Sequence, residues 1–300
     1  MNAYHIPALL QESIEGLKIK PDGCYVDVTF GGGGHSREIL KHLTKGKIIG
    51  FDQDQDAIQN TIDDPRFIFC HGNFRFLKNY LRYYGIKTID GLIGDLGVSS
   101  HHFDTVERGF TFQGDSPLDM RMNPLSKLTA YEIINHYPKE QLQSIFKKFG
   151  EVDNAQRLAS QIVSSRSQKE LVSSSQFIDA IKVCIPRGLG NKYMAKVYQA
   201  LRIEVNQELE SLEDMLVQCR EVMNPNARIV IITYHSLEDR IVKNYFKTGN
   251  FEGKVDKDFY GNVSTPFKII NNKVIVASED ETASNSRARS AKLRIAEKII

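Results

Sequence analysis

The chain has 300 residues, 41% apolar and 25% charged, with 9 prolines, no tryptophan, and 39 basic against 37 acidic side chains, a net charge of +2. That length allows one large domain or two smaller ones with ample core, and the apolar content excludes a disordered or fibrous chain. The longest aliphatic runs, such as Ile229-Val230-Ile231-Ile232, stop far short of the ~20 residues of a membrane helix, and the opening MNAYHIPALLQESIEG has neither a basic start nor a long apolar stretch, so a soluble, cytoplasmic protein without a membrane partner is expected.

Four short apolar segments rich in β-branched and aromatic residues come first: Cys24–Phe30, Lys47–Asp52, Arg66–His71 and Ile89–Asp95. Ile39, Leu40 and Leu43 stand at helical spacing between the first two. A fifth strand, Arg228–Tyr234, follows a Pro225-Asn226 turn. Strands alternating with helices predict an α/β fold, a Rossmann-like, mostly parallel sheet with helices on its faces. The interval from Asp95 to Arg228 far exceeds the ~30 residues of a one-helix crossover. It holds a capping box at Thr129 and Glu132 and successive helical stripes. These are Leu142/Ile145/Phe146/Phe149, Ala155/Leu158/Ala159/Ile162/Val163, Phe177/Ile181/Cys184, and Met194/Val197/Tyr198/Leu201/Val205/Leu209/Leu212/Leu216. The reading is therefore a core of residues 1–112 and 207–300, interrupted by an all-helical substrate-binding domain at 113–206.

The sharpest local signal is Gly31-Gly32-Gly33-Gly34 after the first strand, where glycines let backbone approach a ligand and a helix N-terminus follows. A dinucleotide fingerprint would need a third glycine at Ser36. An S-adenosylmethionine site needs an acid near the end of the first strand, which Asp27 supplies. Asp52, about 20 residues beyond the glycines, suits ribose hydroxyls under either reading. The methyl donor fits better, with a nicotinamide oxidoreductase as the rival. Metal binding is not expected. Cys24, Cys70, Cys184 and Cys219 form no CxxC or zinc spacing, and adjacent His101 and His102 read as polar surface.

Eight motifs in order carry a resemblance over nearly the whole chain. They are HIPALLQE at 5–12, DVTFGGGGHS at 27–36, GDLGVSS at 94–100, RGFTF at 108–112, PLDMRM at 117–122, QALRI at 199–203, HSLEDR at 235–240 and RARS at 287–290. Together they resemble the bacterial MraW-type methyltransferases, which N4-methylate a cytosine at the decoding centre of 16S ribosomal RNA. The chain departs from the family pattern at Ala8, Ser116 and Ser286, and at His101-His102, which replaces Pro-Gln.

The resemblance implies S-adenosylmethionine as cofactor, with Gly33, Gly34 and His35 lining its methionine end, Asp52 its ribose and Phe74 its adenine. It places Asp95 near the methyl or the methionine amino group, and His102 where the family's glutamine contacts the cofactor. Asp95 is the first candidate for the group that engages the cytosine amine. Ser99 and Ser100 on the same loop, and His235 and Ser236 after the fifth strand, are further candidates. Lys182, Arg187, Lys192, Lys196 and Arg202, interleaved with Tyr193 and Tyr198 and with no acid from 180 to 203, suit phosphate contact and stacking. Arg287, Arg289, Lys292 and Arg294 read as a second RNA-gripping segment. The expected partner is 16S rRNA within the small ribosomal subunit, with a homodimer left open. A catalytically silent RNA-binding or assembly factor is the remaining alternative.

Overall fold

The computed structural model describes residues 7–255 and 265–299, so His5 and Ile6 of the HIPALLQE run lie outside the described residues. In chain order the elements are α1 (Leu10–Leu17), β1 (Cys24–Asp27), α2 (Gly34–His42), β2 (Lys47–Asp52), β3 (Phe67–His71), α3 (Leu77–Tyr83) and β4 (Ile89–Asp95). Then come α4 (Ser100–Asp104), α5 (Ala130–His136), α6 (Lys139–Lys148), α7 (Ala155–Arg166), α8 (Ser174–Ile181) and α9 (Gly190–Asn206). The chain closes with α10 (Glu208–Val222), β5 (Met223–Thr233), α11 (Ser236–Thr248), β6 (Phe267–Ile269), β7 (Ile275–Val276), α12 (Glu279–Ser284) and β8 (Lys292–Lys298). Two compact units result, residues 1–97 with 209–300, and residues 98–208.

In the first unit the sheet runs β3-β2-β1-β4-β5-β8-β6, with β7 paired to β8. Strands β1 to β5 are parallel, and β8 is antiparallel to β5, β6 and β7. Helices cover both faces, and the two-residue period of each strand divides its side chains between them. Leu92, Ile229 and Ile231 face a core shared with Leu77, Leu81, Leu212, Leu216, Val242 and Phe246. Ile93, Val230 and Ile232 face the opposite core with Ile14, Leu17, Ile39 and Leu40. The chain order reverses at β1, which pairs with both β2 and β4. That switch point opens a crevice beyond the C-terminal ends of these strands.

Two readings of this unit need correction. Pro225-Asn226 is an irregularity within β5: pairing jumps from Ile89↔Met223 to Gly91↔Arg228, and Asn226 takes φ 64°. Of the C-terminal basic segment, Lys292 and Arg294 lie in β8, an interior strand, while Arg287 and Arg289 lie in the short turn before it. Leu293, Ile295 and Ala296 are buried, and the Arg294 guanidinium donates to both Asp239 oxygens at 2.7 and 3.1 Å. Basic residues at alternate positions disguised a strand that is apolar in between.

The second unit is helical, and it starts earlier than residue 113. The segment before α5 is bound into it: Ser116 N donates to Ser174 Oγ (2.9 Å) and Met122 N to Asn206 Oδ1 (2.7 Å). The Arg108 guanidinium holds the Arg121 and Met122 carbonyls. Thr129 caps α5 by accepting from Glu132 N. The stripes named above are buried apart from half-buried Val163. The longest one breaks into α9 and α10 at Gln207, whose φ of 49° ends the helix. Among the described residues no helix is long and apolar enough to cross a membrane.

Candidate functional site

Asp27, Asp52 and Asp95 end β1, β2 and β4, three adjacent parallel strands, so their carboxylates gather at the crevice. Asp27 is buried; it accepts from Thr29 N (3.1 Å) and from Ser36 Oγ (2.7 Å). Burial, with a contribution from Asp52, still lifts its pKa to about 6. Asp95 accepts from the Tyr234 hydroxyl at 2.7 Å. Its pKa is pushed up to about 7, chiefly by burial and then by the charges of Asp27 and Glu238. No basic side chain contributes to either shift. Two carboxyl groups held this far above their ordinary range mark a place that favours positive charge.

The glycine loop is built around these acids. Gly31 and Gly33 take φ of 49° and 76°, values that glycine adopts without strain. Gly31 N donates to Asp52 Oδ2 at 2.7 Å, and Asp54 N to Asp52 Oδ1 at 2.8 Å, tying the second acid to the loop. A Cβ on Gly31 would meet only the Thr29 carbonyl, at 3.9 Å, so that side of the loop is open. Gly33 and Gly34 have packing reasons to be glycine. A Cβ on Gly33 would lie 2.8 Å from the Phe30 ring, and one on Gly34 only 2.2 Å from Pro7 Cγ. His35, on the first turn of α2, is buried, and burial lowers its pKa to about 4 while a hydrogen bond to the Ala8 backbone opposes the shift. The ring is therefore neutral at physiological pH. Its Nε2 has no partner among the described residues.

Phe74 starts a short 3-10 turn after β3 and is half-buried against the core, a placement suited to one wall of a ligand slot. Asn73 beside it accepts from Arg75 N and donates to Gln53 Oε1 at 2.9 Å, linking the β2 and β3 loops. Gly33, Gly34, His35, Asp52, Phe74 and Asp95 all belong to the first compact unit and to the loops at one end of its sheet. His235 belongs there too. It caps α11 by accepting from Glu238 N, and Nε2 lies 3.1 Å from Glu238 Oε1. Ser99 and His102 belong to the second unit, where they form a capping box at the start of α4. His102 is buried against Phe110, ring centroids 4.7 Å apart. The side chain of Ser100 lies outside the described residues.

Of the basic candidates, Lys182, Arg187 and Lys192 are exposed around the α8–α9 connection. Lys196 is half-buried, its Nζ donating to the Glu151 carbonyl at 2.8 Å. Three residues of this run are corrected. Tyr193 is 6% exposed, and its hydroxyl donates to Asn154 Oδ1 at 2.8 Å, so its ring cannot stack on a base. Tyr198, the other aromatic of this run, is buried as well. Arg202 is held by Glu208 in a largely buried ion pair. The helical period that made α9 basic on one face turned these residues inward.

Thr29, Ser36 and Tyr234 escaped the sequence reading. Thr29 Oγ1 accepts from Asp95 N at 2.6 Å and locks the β1 loop to the end of β4. The signal for Tyr234 was its position directly between a strand end and HSLEDR.

A family model described as the MraW methylase family matches residues 2–299. A protein of Bacteroides fragilis named ribosomal RNA small subunit methyltransferase H is 55% identical over 296 residues, 98% of this chain and 97% of its own. Proteins of the same name are 54% identical over 300 residues in Parabacteroides distasonis, covering 99% and 98%, and 53% identical over 297 residues in Cytophaga hutchinsonii, covering 98% and 99%.

Proposed function

The chain belongs to the MraW methylase family, and from that premise we propose that it uses S-adenosylmethionine to methylate the N4 amine of a cytosine at the decoding centre of 16S rRNA, presented by the small ribosomal subunit. The observation that carries the reading is the trio Asp27, Asp52 and Asp95 around an open glycine loop, with burial and neighbouring acids pushing Asp27 and Asp95 toward neutrality. A sulfonium with an ammonium group fits that demand. The pyrophosphate of a nicotinamide cofactor would add negative charge to it, which argues against the oxidoreductase reading.

The residues present suit the group. Asp52 would accept from ribose hydroxyls, Phe74 would form one wall of the adenine slot, and the first N–H groups of α2 would meet the methionine carboxylate. The neutral His35, with its Nε2 unpartnered among the described residues, would line the methionine end. When bound, the cofactor supplies an electrophilic methyl on sulfur. The chain's own contribution is position and one acceptor. A cytosine amine is a weak nucleophile because its lone pair is delocalised into the ring. A carboxylate oxygen of Asp95 accepting from the amine N–H draws that pair back onto nitrogen and takes the proton as the N–C bond forms. The cytosine must be single-stranded or flipped out of its stack to be reached. We assign Lys182, Arg187, Lys192 and Lys196 of the helical unit to the RNA backbone, as phosphate contacts that hold the target without reading it.

Incubation with labelled methyl donor and small subunits lacking the modification tests the reading. N4-methylcytidine in the 16S rRNA digest is expected. Absence of label, with RNA binding intact, would establish the silent assembly factor instead. Supplying naked 16S rRNA in parallel separates the two forms of substrate.

A further inference from the structure

Tyr234 is the first residue beyond β5, and Asp95 the last of β4. The two strands are paired in parallel with Asp95 opposite Ile232, so Tyr234 lies two residues past the register. From there its phenol reaches back, and the hydroxyl donates to Asp95 Oδ1 at 2.7 Å. Both ends of this contact are fixed. Tyr234 N donates to Glu238 Oε2 (3.1 Å), and Glu238 is 2% exposed. Asp95 N donates to Thr29 Oγ1. Gly97, with φ 95°, leaves room beside the ring, where even an added Cβ would come only within 3.7 Å of Tyr234 Cδ2. No described residue engages the other carboxylate oxygen, Oδ2. A carboxylate can rotate about its terminal torsion, and one strong donor selects the orientation.

We infer that Tyr234 is a positioning residue for methyl transfer, clamping Asp95 by Oδ1 so that Oδ2 is the acceptor presented to the reacting amine or to the cofactor. This rests on the role proposed for Asp95 above. The donor is always available, since burial and the surrounding acids Asp95, Glu238 and Glu281 raise the phenol far above its ordinary pKa. The clamp also favours the ionised carboxylate against three opposing influences: burial, Asp27 from β1 and Glu238 from α11. Without the hydroxyl, Asp95 keeps its neighbours and loses its single stabilising donor.

Tyr234→Phe tests this, because the ring still fills the same space. At pH 7 kcat should fall about tenfold, the scale of one hydrogen bond to a charged group. The acid limb of the pH profile should move upward by about one unit, so that most of the activity returns near pH 9. Melting temperature should change little. An unchanged kcat with an unchanged profile would overturn the inference. Asp95→Asn is assayed alongside. If it is inactive while Tyr234→Phe keeps the wild-type profile, the clamp alone fails. If Asp95→Asn retains wild-type turnover, the role of Asp95 fails and the clamp with it.

Discussion

Arg202 donates through Nε and Nη2 to the two carboxylate oxygens of Glu208, at 2.9 and 3.1 Å, and both side chains are largely buried. A cation so engaged contributes to the helical unit's own stability. Arg202→Ala should therefore lower unfolding free energy by about 2 kcal/mol and leave the salt dependence of RNA binding unchanged. The exposed set behaves in the opposite way. Replacing Lys182, Arg187 and Lys192 with alanine should leave the melting temperature within a few degrees and reduce the slope of log K against log salt by about 2 to 3. Filter binding across a salt series measures both. An unchanged slope in the triple variant would remove this surface from RNA contact.

The raised pKa values of Asp27 and Asp95 predict an inverted stability profile for the ligand-free protein. Both groups bind protons more tightly folded than unfolded, where an aspartate titrates near ~3.9. Their contribution is fully present below about pH 4 and is lost as pH rises through about 6 for Asp27 and about 7 for Asp95. Asp95→Asn, neutral throughout, should melt higher than the parent at pH 8, and the difference should shrink toward pH 5. Calorimetric scans at the two pH values decide it; equal melting temperatures at pH 8 would show that Asp95 is not held in this way.

Protection by S-adenosylmethionine should follow the opposite trend. The ionised acids favour a cation, so the upward shift in melting temperature at saturating cofactor should be larger at pH 8 than at pH 5.5. NAD at the same concentration should give no shift at either pH. Protection by NAD would contradict the charge argument.

Asp52 carries two backbone N–H groups and the proposed ribose contact. Asp52→Asn should weaken binding of S-adenosylhomocysteine by about tenfold or more, one charge-assisted hydrogen bond, and raise the cofactor KM more than it lowers kcat. Titration calorimetry gives the first number and steady-state kinetics the second.

Gly50, inside β2, faces the rings of Phe30 and Phe67, and an added Cβ would lie 2.8 and 2.9 Å from them. Gly50→Ala should cost about 1 to 3 kcal/mol through overpacking, seen in denaturant unfolding, with little effect on transfer per folded molecule.

The parallel half of the fold was legible because burial on both faces makes each strand a short apolar run, with an acid ending β1, β2 and β4. Lys47–Asp52 and Ile89–Asp95 carry the same bounds in the structure as in the sequence reading. The antiparallel edge was hidden for the converse reason. In Lys292–Lys298 four of the seven residues are charged, leaving only Leu293, Ile295 and Ala296 as an apolar signal. The helical insert was clear from its stripes, but its beginning was not. Residues 98–122 hold only a few turns, and they join the unit through scattered hydrogen bonds such as Met122 N to Asn206. Within the site, residue types could be read, but directions could not. That Arg202 and Tyr193 turn inward, and that the Tyr234 phenol bends back onto Asp95, depends on contacts between residues distant in the chain.

Placing residues 98–208 between β4 and β5 also bears on synthesis. When β4 leaves the ribosome its outer edge has no partner, and it waits through the whole helical unit before β5 arrives to pair with it. An unpaired, apolar strand edge is a template for wrong association, and contacts so distant in sequence form late. The helical unit can meanwhile assemble from nearby segments. Nascent chains halted near residue 208 should therefore be the ones that most need a chaperone's cover.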